Sequence, residues 1–258
     1  MIDDHLSCMG EASYEKRLIA YFDVLGWKDK IERAASNPHR LAQLRLVTIA
    51  LGVTKGAFEE LGGQLSSFSD NVVISIPHDS QVIQDFLETL SRIQVALALW
   101  GFFIRGALTI GDVYHDTKSV FGPGLVRAYE LESKIAIYPR LLLDPEVPEL
   151  NAINFPVMPD RELRFLDPFY DGFLDTMRWQ GDPAEFRQFL SEYGGRPESL
   201  PFDARMSSRE ILICVLHHLA AELRSLDDPK HRIKLEWLFD RIAPRVPIND
   251  RGRNYHPT

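Results

Sequence analysis

RLIAYFDVLGW, residues 17–27, decides how the chain begins to fold. An apolar, aromatic run that ends on Asp23 and bends at Gly26 reads as a buried strand followed by a turn. Next, Ser36-Asn37-Pro38 places a polar cap and a proline at the first turn of a helix. Leu41, Leu44, Val47, Leu51, Phe58 and Leu61 keep roughly helical spacing until Gly62-Gly63 stops it. Residues 64–68 and 72–76 flank Ser69-Asp70-Asn71, a hairpin with turn-forming residues at its tip. Ser80 caps a second long helix, with Val82, Ile83, Phe86, Leu90, Ile93, Leu97 and Trp100 on one face, and Gly101 ends it.

Residues 102–110 read as another strand, and a second hairpin arm follows across Gly111-Asp112. Gly122-Pro123-Gly124 leads into a helix that Tyr138-Pro139 breaks, and residues 141–143 are strand-like. The order β-α-β-β-α-β is the split βαβ plan. The expected fold class is therefore α/β (α+β): a ferredoxin-like core with helices on one face of a mainly antiparallel sheet. Residues 1–144 form this core. Residues 145–258 form an extension, proline-rich and loop-like at first, then helical. A capping box at Ser207 and Glu210 opens one helix, and Asp228-Pro229 opens the last.

The chain has 258 residues and a formal charge of −8, with 45% hydrophobic residues. That composition suits a full hydrophobic core and excludes disorder. The acidic balance argues against non-specific nucleic-acid binding, so none is expected. Cys8 and Cys214 cannot make a disulfide framework. The N-terminus lacks a signal-peptide core, and the longest apolar runs are about half of what a bilayer demands. A cytoplasmic protein with no membrane segment is expected.

Four segments could carry chemistry. Asp23, at a strand end before a glycine turn, can hold a hard cation while the turn's amides face phosphate, or can simply cap the next helix. Asp70, at the hairpin tip, can meet Asp23 at one sheet edge, as a phosphoryl-transfer metal site requires, or is only a turn residue. Arg105, a cation in an apolar strand, needs either an acidic neighbour or a triphosphate. The glycine-bounded helix start at Gly122, followed by Arg127, Lys134 and Arg140, suits phosphate. His217-His218 point about 100° apart on a helix and read as packing or surface residues. No P-loop, HExxH, GxSxG or CxxC motif is present.

In order, YFDVLGWKD (21–29), SFSDNVVIS (67–75), FFIRGALTIGD (102–112), FGPGLVRAYELE (121–132) and YPRLLLD (138–144) resemble the class III nucleotide cyclase catalytic domain. They most resemble the pyrimidine cyclases of bacterial Pycsar antiphage systems, and KLEWLF (234–239) is similar to that family's C-terminal extension. The resemblance implies two Mg²⁺ or Mn²⁺ ions held by Asp23, Asp70 and the Val24 carbonyl, with the amides of Leu25, Gly26 and Trp27 on the phosphates. It implies a head-to-tail homodimer with sites between subunits. Ser66 stands where purine cyclases carry a base-reading lysine, and Ser66 and Phe68 are assigned to the substrate. Val126 and Glu130 stand where those enzymes present an asparagine and a transition-state arginine. The replacement cation is sought among Arg105, Arg127, Lys134 and Arg140, with Arg105 and Arg140 assigned as catalytic.

The implied activity is conversion of UTP to 3′,5′-cyclic UMP and pyrophosphate, a second messenger in antiphage defence. The alternatives are a cytidylate cyclase acting on CTP and a non-catalytic nucleotide-sensing domain. A palm-type cyclic-dinucleotide synthase would carry a GG(D/E)EF hairpin, and the tip here is Phe-Ser-Asp-Asn.

Overall fold

The computed structural model describes residues 13–79, 81–176 and 207–246. Strand β1 (Glu15–Val24) is followed by helices α1 (Trp27–Ala34) and α2 (Pro38–Glu60). Strands β2 (Gln64–Phe68) and β3 (Asn71–Pro77) form the expected hairpin, and helix α3 spans Ile83–Leu99. Strand β4 (Ile104–His115), the short β5 (Val120–Phe121), helix α4 (Pro123–Lys134) and strand β6 (Leu141–Leu143) complete the first 144 residues. Then come α5 (Pro148–Asn151), β7 (Val157–Asp160), β8 (Leu163–Leu166) and α6 (Asp171–Thr176), and finally α7 (Ser208–Ser225) and α8 (Pro229–Ile242). Helix caps follow their residue chemistry: the Asn37 side chain accepts from the amides of His39 and Arg40, and Ser207 and Glu210 form the capping box. The cap expected at Ser80 lies outside the described residues.

The sheet runs β2-β3-β1-β4-β6-β8-β7, with β5 paired to β4. Pairing is antiparallel except between β4 and β6, whose parallel register α4 makes possible as the crossover. The arm expected to turn at Gly111-Asp112 does not turn there. Both residues stay in β4, opposite Arg17 and Lys16, because the ladder with β1 continues to Glu15 and Val113. The chain reverses instead between His115 and Val120. The stretch after residue 145 holds a hairpin, β7–β8, that extends the sheet through β6.

Strand alternation sorts β1 onto two faces. Leu18, Ala20, Phe22 and Val24 join one large core with Phe58 of α2, Phe86 and Leu90 of α3, Leu212 of α7 and Leu235 of α8. Ile19 turns to the other face, where Val73, Val113 and Ala128 of α4 meet it, and Leu131 of α4 covers Ala107 and Leu142. The long helices thus share one face, and α4 covers the other. By length and composition α2 is long and apolar enough to cross a membrane. Its Val47, Ala50, Leu51 and Phe58 are buried in the large core.

Candidate active site

Asp23 has the same parity as Ile19, so its carboxylate lies on the α4 face of the sheet. Directly across the ladder stands Arg105. Its Nε donates to Asp23 Oδ1 and its Nη2 to Oδ2, each at 2.9 Å. The same Nη2 lies 2.8 Å from Oε1 of Glu132 on α4, an ion-pair distance without hydrogen-bond geometry. The close approach of β4 to β1 depends on Gly106, where a Cβ would fall 2.3 Å from the Tyr21 carbonyl oxygen. Glu132 is 3% exposed. Burial, then the charge of Asp23, pushes its pKa up to about 7 against the pull of Arg105. Burial opposes the charge of Arg105, but the bonds and charges of Asp23 and Glu132 outweigh it and raise its pKa.

The hairpin tip reaches the same place. Tyr21 pairs with Val73 and Phe22 with Val72, so Asn71 falls opposite Asp23. The Tyr21 hydroxyl donates to Asn71 Oδ1, and Asn71 Nδ2 donates to Asp70 Oδ1 at 3.3 Å. Ser69, with φ 59°, makes the tight turn, and Trp27 Nε1 donates to its Oγ at 3.0 Å, tying the start of α1 to the hairpin. Tyr21 meets Tyr129 of α4 edge to face. Its phenol is pushed up to about 12 by burial, then by Glu132, Asp23, Tyr129 and Asp70. Asp23 and Asp70 thus both act on Tyr21 and on Glu132.

The turn after β1 departs in part from expectation. Leu25 is buried in the core and donates its amide to the Phe103 carbonyl at 2.8 Å, so that amide is withdrawn from any phosphate. Gly26, at φ 70°, and Trp27 open α1, where the first amides have no intrahelical acceptor. Val24 closes β1 opposite Ile104.

Helix α8, which the sequence reading left without a role, crosses this end of the sheet. His231 lies so close to Gly26 that a Cβ there would fall 2.2 Å from its Cε1. One turn on, Lys234 interacts electrostatically with Arg105, Asp23 and Glu132; burial and then Arg105 lower its pKa. One turn further, Trp237 stacks on Tyr138 at 4.9 Å. The signal was Lys234 itself, the first residue of KLEWLF.

Ser66 and Phe68 share the α4 face through their pairing with Val73 and Asn71. Phe68 is 84% exposed. Ser66 ends a chain of hydrogen bonds that begins at Arg17. Arg17 Nε donates to Ser75 Oγ at 2.9 Å. Ser75 is fully buried, and its remaining partner is His115 Nδ1 at 2.9 Å, so its hydroxyl donates there. His115, held down to about 4 by burial and then Arg17, is neutral and carries its proton on Nε2, which donates to Ser66 Oγ at 2.9 Å. The Ser66 hydroxyl proton has no acceptor among the described residues.

The other cations are engaged elsewhere. Arg140, assigned as catalytic, is 4% exposed and donates to Asp160 Oδ2 at 2.6 Å. Its guanidinium lies against the rings of Phe165, Trp237 and Tyr138. This corrects the assignment: Arg140 ties the edge strand β7, its neighbour β8 and α8 together and is engaged away from the Asp23 site. Arg127 forks onto Asp144, and Lys134 pairs with Glu130 at the surface. Val126 is exposed on α4.

Among the described residues no group of three or more His, Cys, Asp or Glu forms a ready metal cluster. Two carboxylates suffice for an ion that keeps water and substrate phosphate oxygens in its other positions, as Mg²⁺ does. Asp23 and Asp70 fit that role provided that Asp23 exchanges its bonds to Arg105.

No protein-family model and no curated protein matches the chain. Among solved structures, a bacterial light-regulated adenylyl cyclase is 12% identical over 72% of this chain and 59% of its own, with a TM-score of 0.44. A class III adenylyl cyclase-like ATP-binding protein from Pseudomonas aeruginosa is 12% identical over 87% of this chain and 50% of its own, with a TM-score of 0.44. The chain spans less than two thirds of either. The guanylyl cyclase domain of the RhoGC fusion protein from the aquatic fungus Blastocladiella emersonii is 14% identical over 60% of this chain and 96% of its own, also with a TM-score of 0.44.

Proposed function

We propose that this protein is a pyrimidine nucleotide cyclase that converts UTP to 3′,5′-cyclic UMP and pyrophosphate. The observation that supports the reading is that Asp23, near the end of β1, and Asp70, at the hairpin tip, both act on Tyr21 and on Glu132. Asp23 and Asp70 would hold Mg²⁺ or Mn²⁺, two per site. When bound, such ions neutralise phosphate charge and make the ribose 3′-hydroxyl more acidic. The amides of Gly26 and Trp27 face the phosphates. The 3′-hydroxyl loses its proton, its oxygen bonds to the α-phosphorus in line, and pyrophosphate leaves. Arg105, released from Asp23, stabilises charge on the transferring group.

Uracil is favoured over cytosine by the direction of the hydrogen-bond chain that ends at Ser66. Arg17 lies at its far end, so the Ser66 hydroxyl proton is polarised and free to donate to the exocyclic oxygen of uracil, while its oxygen, already bonded to His115, is the weaker partner for the amine of cytosine. The homodimer and the antiphage setting rest on the sequence resemblance. Exposed Phe68, Val126 and Tyr129 are apolar surface that a second copy would cover.

A second reading, a non-catalytic nucleotide sensor, is favoured by one observation: Arg105 occupies both oxygens of Asp23. Incubation with Mn²⁺ and each of the four ribonucleoside triphosphates, resolved by chromatography, separates the readings. Cyclic UMP with pyrophosphate is expected. Cyclic CMP would support the cytidylate alternative, cyclic AMP or GMP would refute the pyrimidine claim, and binding without product would support the sensor.

A further inference from the structure

A second cleft, of about 290 Å³, opens where α1 and α2 meet α7 and the turn at Trp100–Phe102. Its walls carry three cations, Lys30, Arg33 and Arg40, against one carboxylate, Glu222. A single oxygen of Glu222 serves two of them: Lys30 Nζ lies 3.3 Å away and Arg33 Nη2 3.1 Å. The guanidinium of Arg40 is exposed and has no partner among the described residues. His218, whose pKa burial and then His217 and Lys30 lower, adds no charge and faces Gly101. The cleft thus holds two surplus positive charges, 3 − 1, on a chain whose net charge is −8.

Burying cations without matching anions is costly, and the Lys30 side chain is only 13% exposed. The strain shows in Lys30, whose pKa burial lowers despite the opposing pull of Glu222. Lys30 Nζ also donates to the Gly101 carbonyl at 3.2 Å, whereas the aromatic side holds an unsatisfied group. Trp100 lines the cleft, and its buried indole N–H has no acceptor. Phe102, with Lys30 Nζ 5.2 Å from its ring centre, adds an apolar floor.

We propose that this cleft binds an organic phosphate monoester, whose dianionic phosphate meets Lys30, Arg33 and Arg40 and whose apolar part lies on Trp100 and Phe102. A dianion matches the two surplus charges, and phosphate oxygens match the guanidinium donors. The site is separate from the Asp23 face and does not depend on the cyclase reading. It is mechanically close to it, because the amide of Lys30 donates to the Gly26 carbonyl at 3.0 Å.

The test is calorimetric titration of the full chain with phenyl phosphate and with inorganic phosphate at constant ionic strength. One saturable site is expected, with phenyl phosphate bound several-fold more tightly. Arg40→Ala, at an exposed position, is expected to weaken phenyl phosphate binding at least fivefold, and Trp100→Ala, which removes the ring, is expected to erase the preference for phenyl phosphate over inorganic phosphate. Lys234→Ala, beside the Asp23 site, is expected to leave it unchanged. Absence of saturable binding, no preference for phenyl phosphate, indifference to Arg40→Ala, or loss of binding in Lys234→Ala would each overturn the proposal.

Discussion

Arg105 grips Asp23 at two points, Nε on one carboxylate oxygen and Nη2 on the other, across adjacent antiparallel strands. The same guanidinium faces Glu132, so one cation separates two carboxylates in a mostly buried place. Arg105→Ala should therefore leave both carboxylates uncompensated and cost about 3 kcal/mol. Urea unfolding at neutral pH measures this, and a loss below about 1 kcal/mol would mean that the fork contributes little to the fold. Arg105→Lys keeps the charge without the fork and should fall between.

Glu132 sets a pH dependence with a definite sign. Its folded pKa, about 7, lies above the ordinary glutamate value of 4.5. The folded state therefore binds the proton more tightly, and this contribution to stability is complete below pH 4.5 and lost as pH rises through 7. The swing is on the order of 3 kcal/mol. Denaturant titrations at pH 5 and pH 8 should show the Glu132→Gln variant gaining on the wild type at the higher pH. An equal difference at both values would contradict the shift.

Under the proposed cyclase function, His115 is the residue expected to set the preference for UTP over CTP. His115→Ala removes the acceptor of the buried Ser75 hydroxyl, a cost of about 1–3 kcal/mol. It also frees the Ser66 hydroxyl to accept or donate. The kcat/KM ratio of UTP to CTP should drop about tenfold, an effect of roughly 1.4 kcal/mol. An unchanged ratio alongside measurable cyclase activity would remove Ser66 from base reading.

Gly26 and His231 form a pair suited to a double-mutant cycle. Gly26→Ala meets both a left-handed φ of 70° and the His231 ring, and should cost about 2 kcal/mol. In a His231→Gly background the clash vanishes and only the backbone term remains, so the cost should roughly halve. Strict additivity by thermal unfolding would show that α8 does not press on this turn.

Arg140→Met should lower stability by about 3 kcal/mol, because Asp160 loses the partner it holds at 2.6 Å. It should leave the KM for UTP unchanged, since Arg140 sits in an aromatic cage and not at the phosphates. A large rise in KM with normal stability would restore Arg140 to the site.

Much of this was legible in the chain itself. The cap at Asn37, the capping box at Ser207 and the hairpin tip at Ser69-Asp70 are local signals, set by side chains bonding to backbone a few residues away. The need of Arg105 for a partner was legible too, but not which partner. The turn read at Gly111-Asp112 failed because glycine permits a bend without requiring one, and pairing with β1 kept both residues extended.

The sequence by itself determined most of the strands and helices of the first 144 residues, and that one aspartate falls near a strand end and another at a hairpin tip, because periodicity and capping act over a few residues. Only the tertiary structure decided what those aspartates face. Register put Arg105 on Asp23, the packing of β4 in the sheet carried His115 to Ser66, and docking of α8 brought His231 and Lys234 to the Gly26 turn and the Asp23 site. These contacts join residues 49 to more than 200 positions apart. They follow from how sheet faces and helix surfaces pack, and no local pattern encodes that.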